Sequence, residues 1–381
     1  MSHASLRLAA IAGCAMVLTA PFYGTFAKPV SPGPPPIVVP TDYATIQAAI
    51  DAAKPGRTVQ VLAGTYTEQI SVAKNLNIVG AGMDLTIIRA PATLVPNTLG
   101  FPSIVEVYNG ANVSISGLTI SGPGAAACGE PGVLRWGVRV HSEAHLDLLY
   151  AAVRDIHNTP MAMCPRSGTA ISVGDSVPGR PPASIRVDHS EITNYQSVGL
   201  ITLGSGSVGN VSHSLVAGPG HAGGVPTTGI ELVAGAAGTI AHNTVSGNVC
   251  PAGFPEVCGP DFFTQIQEAG IGAGGNGPGT RIEHNLLVGN QIGLFLSEVD
   301  AISQNTMIDN ELFGMGLVGV DTGQFTVDGG SISGSGGGVW VTAVLVDMTV
   351  FLNKVEFSAL SGPPVEIIED GGFTAEVIGG P

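Results

Sequence analysis

A short pattern of apolar and polar residues recurs along most of the chain. In each copy, an apolar residue stands three positions before a central residue and another stands two positions after it. Three segments with a central Asn are copies of one another: GTIAHNTVSGN (238–248), GTRIEHNLLVGN (279–290) and DAISQNTMIDN (300–310). Weaker copies extend the series, whose centres are Ser190, Ser214, Asn243, Asn285, Asn305, Gly330 and Val355. Successive centres are about 25 residues apart, and alternation over so few residues predicts short strands.

A second phrase, Gly followed by alternating apolar residues, lies between these copies. It occurs as GVRV (137–140), GIEL (229–232), GLFL (293–296), GMGL (314–317) and GVWV (338–341). A unit of two short strands and no helix cannot bury its own apolar side chains, but stacked units form a continuous interior. Each strand would pair in parallel with its copy in the next turn, about 4.8 Å away. The repeat therefore predicts an all-β solenoid.

This repeat resembles the right-handed parallel β-helix of the pectin-lyase-like superfamily, over about residues 37–370. The segments GTYTE (64–68) and NLNIVGAG (75–82) are similar to the opening of pectin methylesterases and of many non-enzymatic β-helix proteins. The resemblance implies a single-stranded right-handed parallel β-helix.

An open end of such a solenoid exposes unpaired strand edges, so a capping element is expected there. The segment TDYATIQAAIDAAKPG (41–56) predicts a short N-terminal capping helix that starts at Thr41 or Asp42 as N-cap. Its apolar face comprises Ile46, Ala49, Ile50 and Ala53.

The N-terminus is organised as a targeting segment. Residues 1–27 predict a secretory signal peptide with a small-residue cleavage site at Ala27. A competing interpretation is a lipoprotein, because IAGC (11–14) matches a lipobox that would lipidate Cys14. A Pro-rich spacer at 28–36 follows. The β-helix domain is predicted at 37–381, with insertions near 121–136, 157–168 and 249–269.

The charge balance excludes one large class of partners. The formal net charge is −15, and no basic run is present, so nucleic acid is not an expected ligand. No apolar run after the N-terminal segment approaches the length of a membrane span. We therefore expect a monomeric protein that is secreted or held at the cell surface.

Four Cys remain if Cys14 leaves with the signal peptide. An even number of Cys in an exported chain suggests disulfides, and four allow three pairings. The pairings Cys128–Cys164 and Cys250–Cys258 are favoured, because each would join the ends of one insertion.

Stacking of the repeats predicts columns of like residues. Asn243, Asn285 and Asn305 would form one column of amides bonded along the axis. A second column lies just before the centres and comprises His189, His213, His242, His284 and then Gln304. Imidazoles about 5 Å apart could bind a divalent transition metal. The alternative is a row of neutral surface histidines.

The Gly-led phrases place their third residue on the outer face of a sheet. Four of these residues are candidates for glycan contact: Arg139, Glu231, Phe295 and Trp340. The aromatic rings could stack on sugar rings, and the charged groups could reach hydroxyls or carboxylates. The alternative is an ordinary protein surface.

One short string suggests calcium. RVDHS (186–190) is similar to the vWiDH motif of pectate lyases, in which the Asp is a calcium ligand, so Asp188 with Glu191 is a candidate calcium site. The alternative is a solvated turn, and no other cofactor is indicated. The Arg motif that supplies the base of the lyases and the paired carboxylates of polygalacturonases are absent from the sequence, as are the QDTL, DFIFG and LGRPW motifs of the esterases.

Three functions follow from these patterns. The favoured one is a secreted β-helix protein that binds a polysaccharide or cell-surface glycan without catalysis. The second is a polysaccharide lyase or carbohydrate esterase with its site near residues 135–300. The third is a structural or adhesive surface protein.

Overall fold

The protein is described by a computed structural model. The chain divides into two units, Met1–Pro34 and Pro35–Pro381, and the description concerns the second. The residues described are 34–159, 161, 164, 167–222, 225–251, 268–320, 322–369 and 372–380. The predicted signal peptide and most of the predicted spacer lie outside them. No helix among these residues is long and apolar enough to cross a membrane.

The described chain winds through three sheets in turn, and all strand pairs named below are parallel. Sheet 1 has 13 strands: β1 (Ile37–Val39), β2 (Arg57–Val61), β5 (Leu76–Val79), β8 (Asn112–Ser116), β11 (His145–Leu149), β14 (Ser184–Asp188), β17 (Val208–Ser212), β20 (Thr239–Ala241), β23 (Arg281–Glu283), β26 (Ala301–Ser303), β29 (Gln324–Asp328), β32 (Met348–Asn353) and β35 (Ala375–Gly379). Sheet 2 has 11 strands: β3 (Gly64–Thr67), β6 (Thr86–Arg89), β9 (Thr119–Ser121), β12 (Ala152–Arg154), β15 (Glu191–Thr193), β18 (Leu215–Ala217), β21 (Thr244–Ser246), β24 (Leu286–Val288), β27 (Thr306–Ile308), β30 (Ser331–Ser333) and β33 (Glu356–Ser358). Sheet 3 has 11 strands: β4 (Ile70–Val72), β7 (Ser103–Val107), β10 (Trp136–Val140), β13 (Thr169–Gly174), β16 (Val198–Leu203), β19 (Thr228–Val233), β22 (Ala269–Gly274), β25 (Ile292–Leu296), β28 (Phe313–Gly319), β31 (Gly337–Ala343) and β34 (Val365–Glu369).

Each turn of the chain contributes one strand to each sheet, and the core lies between the three sheets. Inward residues of successive strands stack in register, as in the sheet 1 column Ile115, Leu148, Val187, Val211, Ile240, Ile282, Ile302, Val327 and Leu352. All of them are buried. The prediction of an all-β parallel solenoid with an aliphatic lining is confirmed.

One α-helix, α1 (Ile46–Ala52), and one 3-10 turn (Gly220–Ala222) accompany the strands of the described chain. The predicted N-cap of α1 is wrong: the N-cap is Thr45, whose side chain accepts a hydrogen bond from the Ala48 amide. The Glu68 carboxylate accepts further bonds from the first helical amides, which have no partner inside the helix. The helix packs against β1, β2 and β4. Its role as a cap stays a prediction.

Each Gly-led phrase lies on a strand of sheet 3, and its first Gly is required because the next strand approaches closely. A Cβ on Gly229 would lie 2.4 Å from the Gly270 carbonyl oxygen, and one on Gly199 would lie 2.5 Å from that of Gly229. No side chain fits at such distances. From Gly137 to Gly338 this column is Gly at every turn except one, which has Ala170, and Ile104 of β7 precedes it.

The Asn column forms a buried ladder between sheets 1 and 2, as predicted. The Asn243 Nδ2 donates to the Asn285 Oδ1 at 3.0 Å, and the Asn285 Nδ2 donates to the Asn305 Oδ1 at 3.0 Å. A second ladder between sheets 2 and 3 joins Asn248, Asn290 and Asn310 in the same way. The ladders satisfy backbone groups at turns that carry no strand pairing.

The loops between sheets 2 and 3 hold the insertions. A disulfide joins Cys128 to Cys164, which confirms one predicted pairing. Cys250 is also disulfide-bonded. Its predicted partner, Cys258, lies outside the described residues, as does most of the predicted insertion at 249–269.

Candidate functional site

The outer face of sheet 3 carries two columns of outward residues. The first column is Trp136, Thr169, Val198, Thr228, Ala269, Ile292, Phe313 and Gly337. The second is Glu106, Arg139, Ser172, Ile201, Glu231, Gly272, Phe295, Gly316, Trp340 and Glu366. The glycan-contact candidates all belong to the second column.

These four candidates share a column but not a common exposed line. Arg139 is 2% exposed and Trp340 is 1% exposed, whereas Glu231 and Phe295 are partly exposed. Phe295 lies five strands beyond Arg139 and Trp340 seven, which is about 24 Å and 34 Å at the usual strand spacing. They therefore belong to different parts of the face.

An open cavity of about 670 Å³ lies at the end of the face that contains Arg139. Its side chains come from β10, β13, β16 and the loops beside them. The cationic and aromatic residues that line it are Arg135, Arg139, Arg180, Phe101 and Trp136. We call it the arginine cavity.

Arg139 forms the floor of the arginine cavity. Its guanidinium donates to the Ser172 carbonyl and hydroxyl oxygens, each at 3.3 Å, and lies 3.6 Å from the Asp175 carboxylate. Burial lowers the pKa of Arg139 to about 10, with Asp175 opposing that shift, so the group stays charged at neutral pH. Among the described residues, its Nε has no hydrogen-bond partner.

Stacked aromatic and guanidinium groups form the wall of the arginine cavity. The Arg135 Cζ lies 4.0 Å from the Phe101 ring centroid and 4.8 Å from that of Trp136. These two rings meet edge to face at 5.8 Å. Arg180, on the opposite loop, pairs with Asp175 at 3.3 Å and keeps about half of its side chain in solvent.

A second, shallower cavity of about 470 Å³ adjoins this wall and shares Phe101 and Arg135 with it. The Cys128–Cys164 disulfide lines this second cavity. The disulfide-linked loops therefore build one side of the aromatic wall.

A buried hydrogen-bond network around Glu106, the neighbour of Arg139 in the outward column, supports the wall. The His141 Nε2 lies 3.0 Å from the Glu106 Oε1, and the Thr98 amide and hydroxyl donate to the same oxygen. Burial alone would raise the pKa of Glu106, but hydrogen bonds from His141 and Thr98 hold it below its ordinary value. The network fixes the loop that carries Phe101.

A pair of carboxyl groups lies one strand beyond the arginine cavity. The cavity residues Val198 and Ile201 pair in register with Thr228 and Glu231. The Thr228 hydroxyl donates to the Glu268 Oε2 at 2.9 Å. We call Glu231 and Glu268 the carboxyl pair.

The protein around the carboxyl pair disfavours ionisation. Part of the Glu231 side chain reaches solvent, yet the surrounding protein desolvates its carboxyl, and burial raises its pKa to about 7 against a hydrogen bond from Thr228. Burial likewise raises the pKa of Glu268 to about 7, and the nearby Glu231 adds to this shift. Near neutral pH the pair therefore holds a proton that ordinary Glu side chains have lost.

The far end of the face is aromatic and closed. Trp340 stacks on Phe313 at 5.8 Å and on Phe295 at 6.0 Å, in a cluster with Ile292 and Leu312. Because Trp340 is buried, neither face of its ring is open to a sugar.

The predicted His column is present on a different edge, between sheets 1 and 2. The rings of His189, His213, His242 and His284 stack at 4.9, 5.2 and 4.9 Å between centroids. Tyr150 extends the stack at 5.0 Å from His189. The Nδ1 atoms of His189 and His213 lie 3.2 and 3.1 Å from the Asp188 Oδ1.

The possible ligand atoms of three residues, Asp188, His189 and His213, lie within 4.8 Å of one another. Neither His242 nor Glu191 belongs to this group. An ion bound by imidazole lies in the ring plane at about 2.0 Å. Two stacked rings with planes only 17° apart cannot both meet that condition without one of them turning. The observed arrangement is a carboxylate shared by two imidazoles and Ser212, and metal binding there stays a prediction.

Sequence reasoning missed most of the arginine cavity. Trp136 directly precedes the GVRV phrase, so a second outward column one step before each Gly would have found it, with Arg135 beside it in the sequence. Arg180 and Asp175 follow β13 in an irregular loop, where no periodic signal exists. Glu268 lies near the end of the predicted insertion at 249–269, where the sequence has no periodic signal either.

The fold is similar to that of solved proteins of low sequence identity. The Agl-KA catalytic domain is 14% identical, with a TM-score of 0.57 over 93% of this chain and 69% of that one. A Family 28 exopolygalacturonase of Yersinia enterocolitica is 14% identical, with a TM-score of 0.53 over 90% and 78%. The A-module of the mannuronan C-5 epimerase AlgE4 of Azotobacter vinelandii is 16% identical, with a TM-score of 0.50 over 89% and 96%.

These similarities establish the fold, a right-handed parallel β-helix. No protein-family model matches the chain, and no curated protein matches it in sequence.

Proposed function

We propose that the protein binds an acidic polysaccharide, whose carboxylates enter the arginine cavity. The observation that carries this proposal is the gathering of three Arg side chains and two aromatic rings in one open cavity. The whole sequence has only 14 Lys and Arg against 29 Asp and Glu. A local excess of positive charge on such a chain favours an anionic ligand.

The chemistry of the lining fits a sugar carboxylate. A guanidinium presents paired donors that match the two oxygens of a carboxylate. Asp175 offsets one of the three positive charges, so the cavity keeps a positive balance. The Phe101 and Trp136 rings offer apolar surface to the faces of sugar rings.

The outward column of sheet 3 continues beyond the cavity. Glu231 and then Phe295 follow along the same outward column, and both are partly exposed. A bound chain that runs parallel to the axis would contact them in turn. Two proteins of similar fold are named for polygalacturonan and mannuronan, both polysaccharides, which supports a ligand of this class. The predicted signal peptide supports binding outside the cytoplasm.

The test compares Arg180→Ala with Arg281→Ala, an exposed Arg of sheet 1 that pairs with Glu283. Isothermal titration with oligogalacturonate and oligomannuronate gives the affinities. Loss of a charge-assisted contact of about 1.5–3 kcal/mol predicts about 10- to 100-fold weaker binding for Arg180→Ala and no change for Arg281→Ala. Equal affinities for all three proteins would refute the proposal. Failure of the unmodified protein to bind any acidic polysaccharide would favour a structural or adhesive role.

A further inference from the structure

Asp188, His189 and His213 form a compact group at the edge between sheets 1 and 2. Asp188 ends β14, and His189 follows it in the turn. His213 holds the same place in the next turn, because Asp188 pairs in register with Ser212, the residue before it. Imidazoles from two consecutive turns therefore face one oxygen, the Asp188 Oδ1, at 3.2 and 3.1 Å from their Nδ1 atoms.

The spacing of these atoms suits an ion held between them. Zn²⁺ lies about 2.0–2.2 Å from imidazole nitrogen and carboxylate oxygen in tetrahedral sites, so two of its ligand atoms are about 3.3 Å apart. Both distances from Nδ1 to the Asp188 Oδ1, 3.2 and 3.1 Å, are already close to this separation. The ligand atoms of all three residues lie within 4.8 Å of one another. The turning of one ring is the movement that remains.

Both rings have room to turn. The exposed fraction of the side chain is 46% for His189 and 52% for His213. An imidazole that binds an ion through Nδ1 is neutral and carries its proton on Nε2. With about half of each side chain in water, solvent can accept the hydrogen bond from that second nitrogen.

The rest of the His column lacks this grouping, although it offers the same residue types. Glu283 lies in the same column as Asp188, two strands beyond Ser212, and directly precedes His284. Within the described chain, the ligand atoms of Glu283, His242 and His284 do not gather in this way, and the Glu283 carboxylate pairs with Arg281. The group at Asp188 is therefore a local feature and not a consequence of the repeat.

We infer that Asp188, His189 and His213 bind one divalent transition-metal ion, of the class of Zn²⁺ and Cu²⁺, which joins two consecutive turns of the coil. Two imidazoles with one carboxylate suit these ions, whereas Ca²⁺ takes about six to eight oxygen ligands. Arg186 pairs with the Asp188 Oδ2 at 2.9 Å, so the carboxylate binds through Oδ1 alone. Water from the exposed side completes the four positions. The site does not depend on the arginine cavity or on the proposed function.

The experiment uses the full chain, without a purification tag and freed of metal by a chelator. Calorimetric titration with ZnCl₂ gives the stoichiometry and the affinity, with and without excess CaCl₂. The variants are His189→Ala, His213→Ala and the matched control His284→Ala, an exposed ring of the same stack. Electron paramagnetic resonance of the unmodified protein loaded with Cu²⁺, with isotopically labelled histidine, counts the bound imidazoles and needs no variant.

The expected result is one Zn²⁺ per chain, which excess Ca²⁺ does not displace, and two imidazole nitrogens on Cu²⁺. His189→Ala and His213→Ala should each bind Zn²⁺ about 100-fold more weakly or worse, because even an outer-shell partner of a metal ligand contributes about 10- to 100-fold. His284→Ala should keep its affinity within about threefold. Zn²⁺ should also raise the temperature of thermal unfolding of the unmodified protein but not that of His213→Ala.

Several outcomes would overturn the inference. They are the absence of stoichiometric Zn²⁺ binding, displacement of Zn²⁺ by Ca²⁺, and a Cu²⁺ spectrum without two imidazole nitrogens. Equal affinities of His213→Ala and the unmodified protein would overturn it as well. A loss in His284→Ala as large as that in His213→Ala would do the same, because the ion would then be held by another part of the stack.

Discussion

The Asn285→Ala substitution tests how the stacked turns are held together. Asn285 is 1% exposed, and its side chain makes four hydrogen bonds. Two of the bonded groups keep another partner, because the Asn243 Nδ2 still donates to Val211 and the Asn305 Oδ1 still accepts the amide of residue 285. The Ile240 carbonyl also keeps a partner, because Ile240 lies in the parallel ladder between β20 and β23. The substitution therefore leaves one buried group unpaired.

That group is the Asn243 amide, which loses an acceptor at 3.1 Å. An unpaired buried polar group costs about 1–3 kcal/mol, so we expect a loss of this size in the free energy of unfolding. Asn77→Ala, at an exposed position of β5, should change it by no more than about 0.5 kcal/mol.

Urea unfolding followed by circular dichroism measures the global loss. Hydrogen exchange of the Asn243 amide measures the local one, and protection there should fall by a similar free energy. A loss below about 1 kcal/mol, or one equal to that of Asn77→Ala, would show that the ladder does not stabilise the turns.

Three further predictions concern other parts of the coil. Gly229→Ala should destabilise the fold by about 1–3 kcal/mol in urea unfolding, because its Cβ has no room, whereas Gly272→Ala, with no atom closer than 3.8 Å, should be nearly neutral; equal effects would contradict this. His141→Ala should cost about 1.5–3 kcal/mol in thermal unfolding, because the buried Glu106 carboxylate loses one of its hydrogen-bond partners and keeps those of Thr98; a loss below about 1 kcal/mol would contradict this supporting role. Burial would raise the pKa of Asp188, but hydrogen bonds from Ser212, His213 and His189 hold this pKa below the ordinary 3.8. The ionised Asp188 carboxylate therefore stabilises the fold above pH 3.8, and this stabilisation is lost as the pH falls through the lowered pKa. Asp188→Asn should thus be less stable than the unmodified protein at neutral pH and equal to it in strong acid; a constant difference across pH unfolding curves would contradict this.

The fold was predictable because its signal is periodic. Inward residues recur in every turn, so the sequence alone aligns the Gly-led phrases with one another. The structure confirms that their third residues share one column, which includes Arg139, Glu231, Phe295 and Trp340. The burial of Arg139 and Trp340 was not predictable from this column alone. Phe313 in the neighbouring column stacks on Trp340 and helps to close that end of the face.

The site was less predictable because loops build half of it. Arg180 reaches the cavity from a loop after β13, and Glu268 joins Thr228 from the end of an insertion. Neither position belongs to the repeat, so no alignment of turns places them. The same limit applies to α1, where Thr45 rather than an earlier residue provides the N-cap, since a short helix can start at any of several polar residues.

Tryptophan fluorescence offers the most direct test of polysaccharide binding in the arginine cavity. The chain has two Trp residues, Trp136 in the cavity wall and Trp340 in the closed aromatic cluster. Titration of Trp340→Phe with oligogalacturonate should give a saturable change in Trp136 emission that salt weakens. The same titration of Trp136→Phe should leave Trp340 emission unchanged. A saturable change from Trp340, or none from Trp136 while the oligosaccharide binds, would place the ligand elsewhere on the protein.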